Sequence, residues 1–149
     1  MYIFGKTAVK TRLCFTLRVY NIRCILVTDN ISVGGDMNVI HVDNSGFFRK
    51  VMKSFLKELG VDSEDFSHGE DVLDAVVKHK VSCVITGLEL PDMRGEELIR
   101  QLLFSGHSMT IIAVTASSND ERARNLADLG VEATIQKGGN WKEKLREYF

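Results

Sequence analysis

The chain has 149 residues, of which 44% are apolar and 26% charged. That is one ordinary domain with a small extension, long enough to bury a core without disulfides or metals, and it excludes a disordered chain. The net charge of −1 divides unevenly: residues 1–36 carry five Lys/Arg against Asp29 and Asp36, and residues 37–149 carry 14 basic against 18 acidic residues. The acidic part argues against a nucleic-acid-binding domain.

Residues 1–36 show no helical stripe, and FTLRVYNIRCILVT reads as strand-like at best. Arg12, Arg18 and Arg23 interrupt the apolar runs, so neither a signal-peptide core nor a membrane span survives there. Gly34-Gly35-Asp36 before Met37 can be encoded as a purine-rich ribosome-binding sequence ahead of a start codon. Residues 1–36 are therefore read as translated upstream DNA, with Met37 the true start. The alternative is a short N-terminal extension with an added strand, and the codons for residues 33–37 decide between the two.

From Met37 strands and helices alternate. Asn38–Val42 is a short apolar strand. Ser45 can cap a helix with Phe47, Phe48, Val51, Met52, Phe55, Leu56 and Leu59 inward, closed by Gly60. Residues 64–67 form a weak second strand. Glu70–His79 is a second helix with Val72, Leu73, Val76 and Val77 inward. Val81–Ile85 is a continuous apolar run, as a strand buried on both faces requires.

Gly87–Gly95 is a loop holding Pro91, and Glu96–Phe104 a third helix facing inward with Leu98, Ile99, Leu102 and Leu103. Thr110–Thr115 is a fourth strand. Ser117 or Ser118 caps a fourth helix, which reaches Leu129 and stops at Gly130. Glu132–Gln136 is a fifth strand, and Asn140–Phe149 a last helix packing through Trp141, Leu145 and Tyr148. Five strands each followed by a helix imply a doubly wound α/β domain with a parallel sheet. Its functional crevice lies at the carboxyl ends of the strands. Those ends are Asp43-Asn44, Thr86-Gly87, Thr115-Ala116 and Lys137-Gly138.

These four strand ends, in this order and with the loop Pro91 to Gly95, resemble the receiver domains of bacterial two-component signalling. The resemblance covers residues 38–149 and implies a flavodoxin-like fold with sheet order 2-1-3-4-5. In that family an acidic pair follows the first strand and a phosphoaccepting Asp the third. A Ser/Thr-Ala follows the fourth and a Lys the fifth. Carboxylates hold Mg²⁺, and metal and lysine neutralise the phosphoryl group as the third carboxylate attacks phosphorus.

Asp43 matches the first acid, whereas the second is Asn44. Gly87 stands four residues before Pro91, where the phosphoacceptor belongs, and has no side chain to phosphorylate. Thr115 and Lys137 match. Gly138 replaces the usual proline after the lysine, and Thr134 stands where many receivers carry a switching aromatic.

The resemblance thus implies a degenerate receiver. An intact site sets three carboxylates against one lysine. Here Asp43 faces Lys137 alone, so the two are expected to pair, with Mg²⁺ binding weak or absent and no other cofactor. The expected function is phosphorylation-independent and non-enzymatic, exercised by protein–protein contact in a phosphorelay network. Partners would be a histidine kinase, a phosphotransfer protein or a downstream target, with a homodimer left open.

By analogy with the family the partner face is taken over parts of 118–149, with Thr134 and Trp141 as anchors. A second reading has Gly87 leave space beside Lys137 and Thr115 for a small anion or metabolite. A third, least favoured, has Glu89 or Asp92 accept the phosphoryl group, against the plainer reading of both as solvated loop residues.

The remaining chemistry-bearing residues have ordinary readings. His41, His68, His79 and His107 are scattered, which argues against metal ligation, and His41 alternates into the core. Cys83 reads as a small core residue and Thr86 as a strand-end threonine without a base. Cys14, Cys24 and Cys83 lack pairing or metal-like spacing, so reduced thiols in a cytoplasmic protein are expected.

Overall fold

The computed structural model describes residues 38–117 and 119–149, so the reading of 1–36, as of Ser118 as a cap, lies outside the described residues. Ten elements alternate: β1 Val39–Val42, α1 Gly46–Glu58, β2 Ser63–Phe66, α2 Gly69–Lys78, β3 Cys83–Gly87, α3 Gly95–Phe104, β4 Thr110–Thr115, α4 Asp120–Leu129, β5 Ala133–Gln136 and α5 Trp141–Arg146. The five strands form one parallel sheet in the order β2-β1-β3-β4-β5. This is the doubly wound, flavodoxin-like arrangement expected from the sequence.

The apolar strands serve two cores at once, because successive side chains point to opposite faces. Val39, Cys83, Ile85, Ile112, Val114 and Ile135 pack with Phe48, Met52, Phe55 and Leu56 of α1 and with Trp141 and Leu145 of α5. Ile40, Val42, Val84, Ile111 and Ala113 pack on the other face with α2, α3 and α4.

Helix ends follow local chemistry. Ser45 caps α1 by accepting from the Phe48 N–H at 3.2 Å. Asn119, rather than Ser117, caps α4, because its side-chain oxygen accepts from the N–H groups of both Glu121 and Arg122. Gly130 closes α4 at φ 109°, a left-handed conformation suited to glycine.

Several inward assignments are corrected. Phe47 and Val77 are 78% and 77% exposed, and Leu103 is exposed as well. Each lies next in sequence to a buried residue, Phe48, Val76 and Leu102. One residue is a 100° step around a helix, and each stripe here is narrower than its run of apolar residues. The third strand starts at Cys83, not Val81, and continues to Gly87, while α5 ends at Arg146.

Candidate functional site

The sheet register brings the expected residues to one edge. Val42 pairs with both Phe66 and Thr86, Gly87 with Val114, and Thr115 with Gln136. Asp43, Gly87, Thr115 and Lys137 therefore stand at the carboxyl ends of β1, β3, β4 and β5.

Asp43 is buried and fully engaged. Its Oδ1 accepts from the Ser45 N–H at 2.8 Å, and its carbonyl accepts from Arg49 Nη1 at 2.6 Å. Its Oδ2 accepts from Lys137 Nζ, forming an ion pair in which Asp43 is 1% exposed and Lys137 20%. The lysine reaches this place over an apolar floor, its Nζ 4.3 Å from the centre of the Phe48 ring. Phe48 in turn touches Trp141, which touches Phe55.

Gly87 is buried, and the space expected beside it is already taken. A β-carbon there would meet Asp43 Oδ2 at 2.8 Å. The Asp43 carboxylate thus occupies the direction that a side chain at 87 would take. Gly95 sits so tightly against the Gly87 carbonyl and the Leu88 backbone that a β-carbon there would clash with both. Thr86 turns its hydroxyl back to donate to the Gly87 carbonyl at 2.8 Å.

Thr115 is buried, its hydroxyl oxygen accepting from the Ser117 N–H. Asn44 is exposed. Gly138 and Gly139 follow Lys137 at φ 118° and 56°, and the first of these is a conformation that proline, with its φ fixed near −65°, cannot adopt. The donors available are therefore one carboxylate held by an N–H and an ammonium, with Asn44 turned to solvent. Among the described residues no group of three or more His, Cys, Asp or Glu is placed to hold a metal ion.

Both loop carboxylates are exposed, as a solvated loop residue is, yet each is hydrogen-bonded. Asp92 accepts from the N–H groups of Gly69 and Glu70, each at 3.0 Å, and so caps α2 from a distant loop. Its burial pushes the carboxyl pKa up, but these backbone donors outweigh that and hold it below its ordinary value. Glu89 accepts from Arg122 at 2.9 Å, and Glu96 accepts from the same guanidinium at 2.5 Å. Sequence spacing gave no sign of these ties, which join residues more than twenty positions apart.

His41 is a core residue, as its alternation along β1 implies: it is 1% exposed, edge-on to Phe48, with no hydrogen-bond partner for either ring nitrogen among the described residues. Burial lowers its pKa to about 4, offset only in part by Asp43. Burial likewise pushes the Cys83 thiol up to about 12, so it is an inert core group. Thr134 is half-buried, and Trp141 is buried beneath the surface that these two were expected to anchor.

A parallel sheet in this order, with these residues at the carboxyl edge, defines a receiver. Residues 39–148 match the response regulator receiver domain, and the chain belongs to that family. It is 30% identical over 118 residues to the chemotaxis protein CheY homolog of Campylobacter jejuni, covering 74% of this chain and 91% of that protein. It is 24% identical over 107 residues to the sensor histidine kinase RcsC of Escherichia coli. That match covers 72% of this chain and only 11% of RcsC, so the chain spans about a tenth of that relative's length. The response regulator receiver protein of Pseudomonas putida has the same fold, with a TM-score of 0.70 at 25% identity over 76% of this chain and 96% of that one.

Proposed function

We propose that this chain is a phosphorylation-independent receiver of two-component signal transduction, acting by protein–protein contact and not as an enzyme. The observation that carries the reading is the Asp43 carboxylate, lodged beside Gly87 and neutralised by Lys137. A phosphoacceptor needs a nucleophile at the end of β3, and Gly87 offers none. A divalent cation is held by several hard oxygen ligands, and the strand ends offer one carboxylate, Asp43, whose charge Lys137 already offsets. Glu89 and Asp92 are held by Arg122 and by the start of α2, away from the role of substitute acceptor.

The pair is well placed to hold the pocket in one charge state, since breaking a buried pair leaves an uncompensated charge. Partner contact then falls to the surface. The relatives' names, a chemotaxis protein and a sensor histidine kinase, support a signalling partner: a histidine kinase, a phosphotransfer protein or a downstream target. A cytoplasmic location fits such partners. Among the described residues no helix is long and apolar enough to cross a membrane.

The reading is tested by titrating the protein with Mg²⁺ while following Trp141, the only tryptophan, which packs on the Phe48 ring beneath Lys137. The reading predicts no saturable change in fluorescence or thermal midpoint through the millimolar range. A saturable change in both would contradict it.

A further inference from the structure

We propose that Arg122 is a clasp that sets where α4 lies, tying it to the loop that begins immediately after Gly87. The helix itself is well made. Asn119 caps its start, Asp120 and Glu121 complement the dipole in its first turn, and Gly130 ends it in the left-handed conformation. Its attachment to the sheet is thin. Among the described residues α1, α2 and α3 each bury four residues, whereas α4 buries Leu126 alone. A helix of ten residues is marginal on its own, whatever its caps, so with one fully buried side chain its order depends also on its other ties.

Leu129 packs partly buried against the core, and Arg122, in the first turn, adds a polar tie to the β3–α3 loop and to α3. Its Nε donates to Glu96 Oε1 in the first turn of α3 at 2.5 Å, and its Nη1 donates to Glu89 Oε1 in the β3–α3 loop at 2.9 Å. A planar guanidinium serves two carboxylates with separate N–H groups in fixed directions, which a lysine ammonium cannot reproduce. The receiving side is itself anchored. Glu89 and Arg94 form a backbone bridge across the loop, and Asp92 bonds the start of α2.

Glu96 depends on the arrangement as well. Its other oxygen, Oε2, is buried with no hydrogen-bond partner among the described residues. Burial pushes its carboxyl up, but the Arg122 hydrogen bond, with Arg94 nearby, keeps its pKa below the ordinary value. Removing Arg122 therefore frees one end of α4 and leaves Glu96 without its hydrogen-bonded partner. That α4 belongs to a partner face rests on the proposed function, whereas the clasp does not.

Hydrogen exchange on the full chain tests the clasp, with Arg122→Ala, Arg122→Lys and Glu96→Gln compared against the unmodified protein. The clasp predicts that amides of 120–129 exchange about tenfold faster in Arg122→Ala. Arg122→Lys and Glu96→Gln should give smaller increases at the same amides, with β3 and β4 protected as before. Unchanged exchange in α4 would overturn the proposal, as would equal acceleration in α4, β3 and β4, which marks global opening instead. Should Arg122→Ala fail to fold, the other two variants carry the same contrast. A phosphoryl adduct on the unmodified chain would overturn the proposed function and leave the clasp standing.

Discussion

Asp43 Oδ2 lies 2.8 Å from the point that a β-carbon on Gly87 would occupy. The missing side chain at the end of β3 and the engaged carboxylate at the end of β1 are thus one feature. Asp43 stands against Lys137 on the side that a residue at 87 would fill. A larger residue at 87 requires that carboxylate to shift from its present place against Lys137.

Gly87→Ala is accordingly expected to cost about 1–3 kcal/mol, the usual range for forcing extra volume into a packed site. The cost should fall sharply in an Asp43→Ala background, because the clash is then already gone. Urea denaturation of the two single variants and the double variant measures this coupling. Additive losses would show that Gly87 and Asp43 do not share one space.

The two halves of the ion pair should not be equivalent. Lys137→Met leaves the Asp43 carboxylate buried without its cation, whereas Asp43→Asn leaves an ammonium that is 20% exposed and reaches water. Asn also keeps an oxygen for the Ser45 N–H. Lys137→Met is expected to approach the ~3–5 kcal/mol typical of a broken buried pair, and Asp43→Asn to fall below it. The reverse order by chemical denaturation would contradict the geometry.

His41 predicts an acid limit. Its folded pKa is lowered to about 4 from 6.5, so between those values the unfolded chain binds the extra proton. The contribution to stability is fully present above about pH 6.5 and is lost as pH falls toward 4. It amounts to on the order of 3 kcal/mol. His41→Leu should flatten this part of the stability–pH profile, and an unchanged slope would assign the acid sensitivity elsewhere.

Asp92→Ala should uncap α2 at a cost of about 1 kcal/mol, the typical value for a capping side chain. Faster exchange at the amides of Gly69 and Glu70 is the local signature, and Asp92→Asn, which retains one of the two acceptor oxygens, should give a smaller increase than Asp92→Ala. The folded pKa of Asp92 is depressed. Its contribution is therefore present above the unfolded carboxylate pKa and lost as pH falls through the lower folded value.

The fold was legible because its signals are periodic. The β-branched run through Val84 and Ile85, and the stripe of Met52, Phe55 and Leu56, leave little alternative. The pocket was legible because strand order puts four strand ends at one edge, and opposite charges there have to meet. The filled space beside Gly87 was not, since spacing gives no side-chain direction. Nor were the ties from Asp92 to α2 and from Arg122 to Glu89 and Glu96, which rest on loop geometry. The exposure of Phe47 and Leu103 was missed because residue type marks a helix face less sharply than the 100° step between neighbours does.

The most direct test of a receiver that works without phosphate is intact mass after incubation with acetyl phosphate and Mg²⁺. The account predicts an unmodified chain, with Trp141 fluorescence unchanged by beryllofluoride. A stoichiometric adduct with the mass of one phosphoryl group, mapped to residues 86–95, would contradict it.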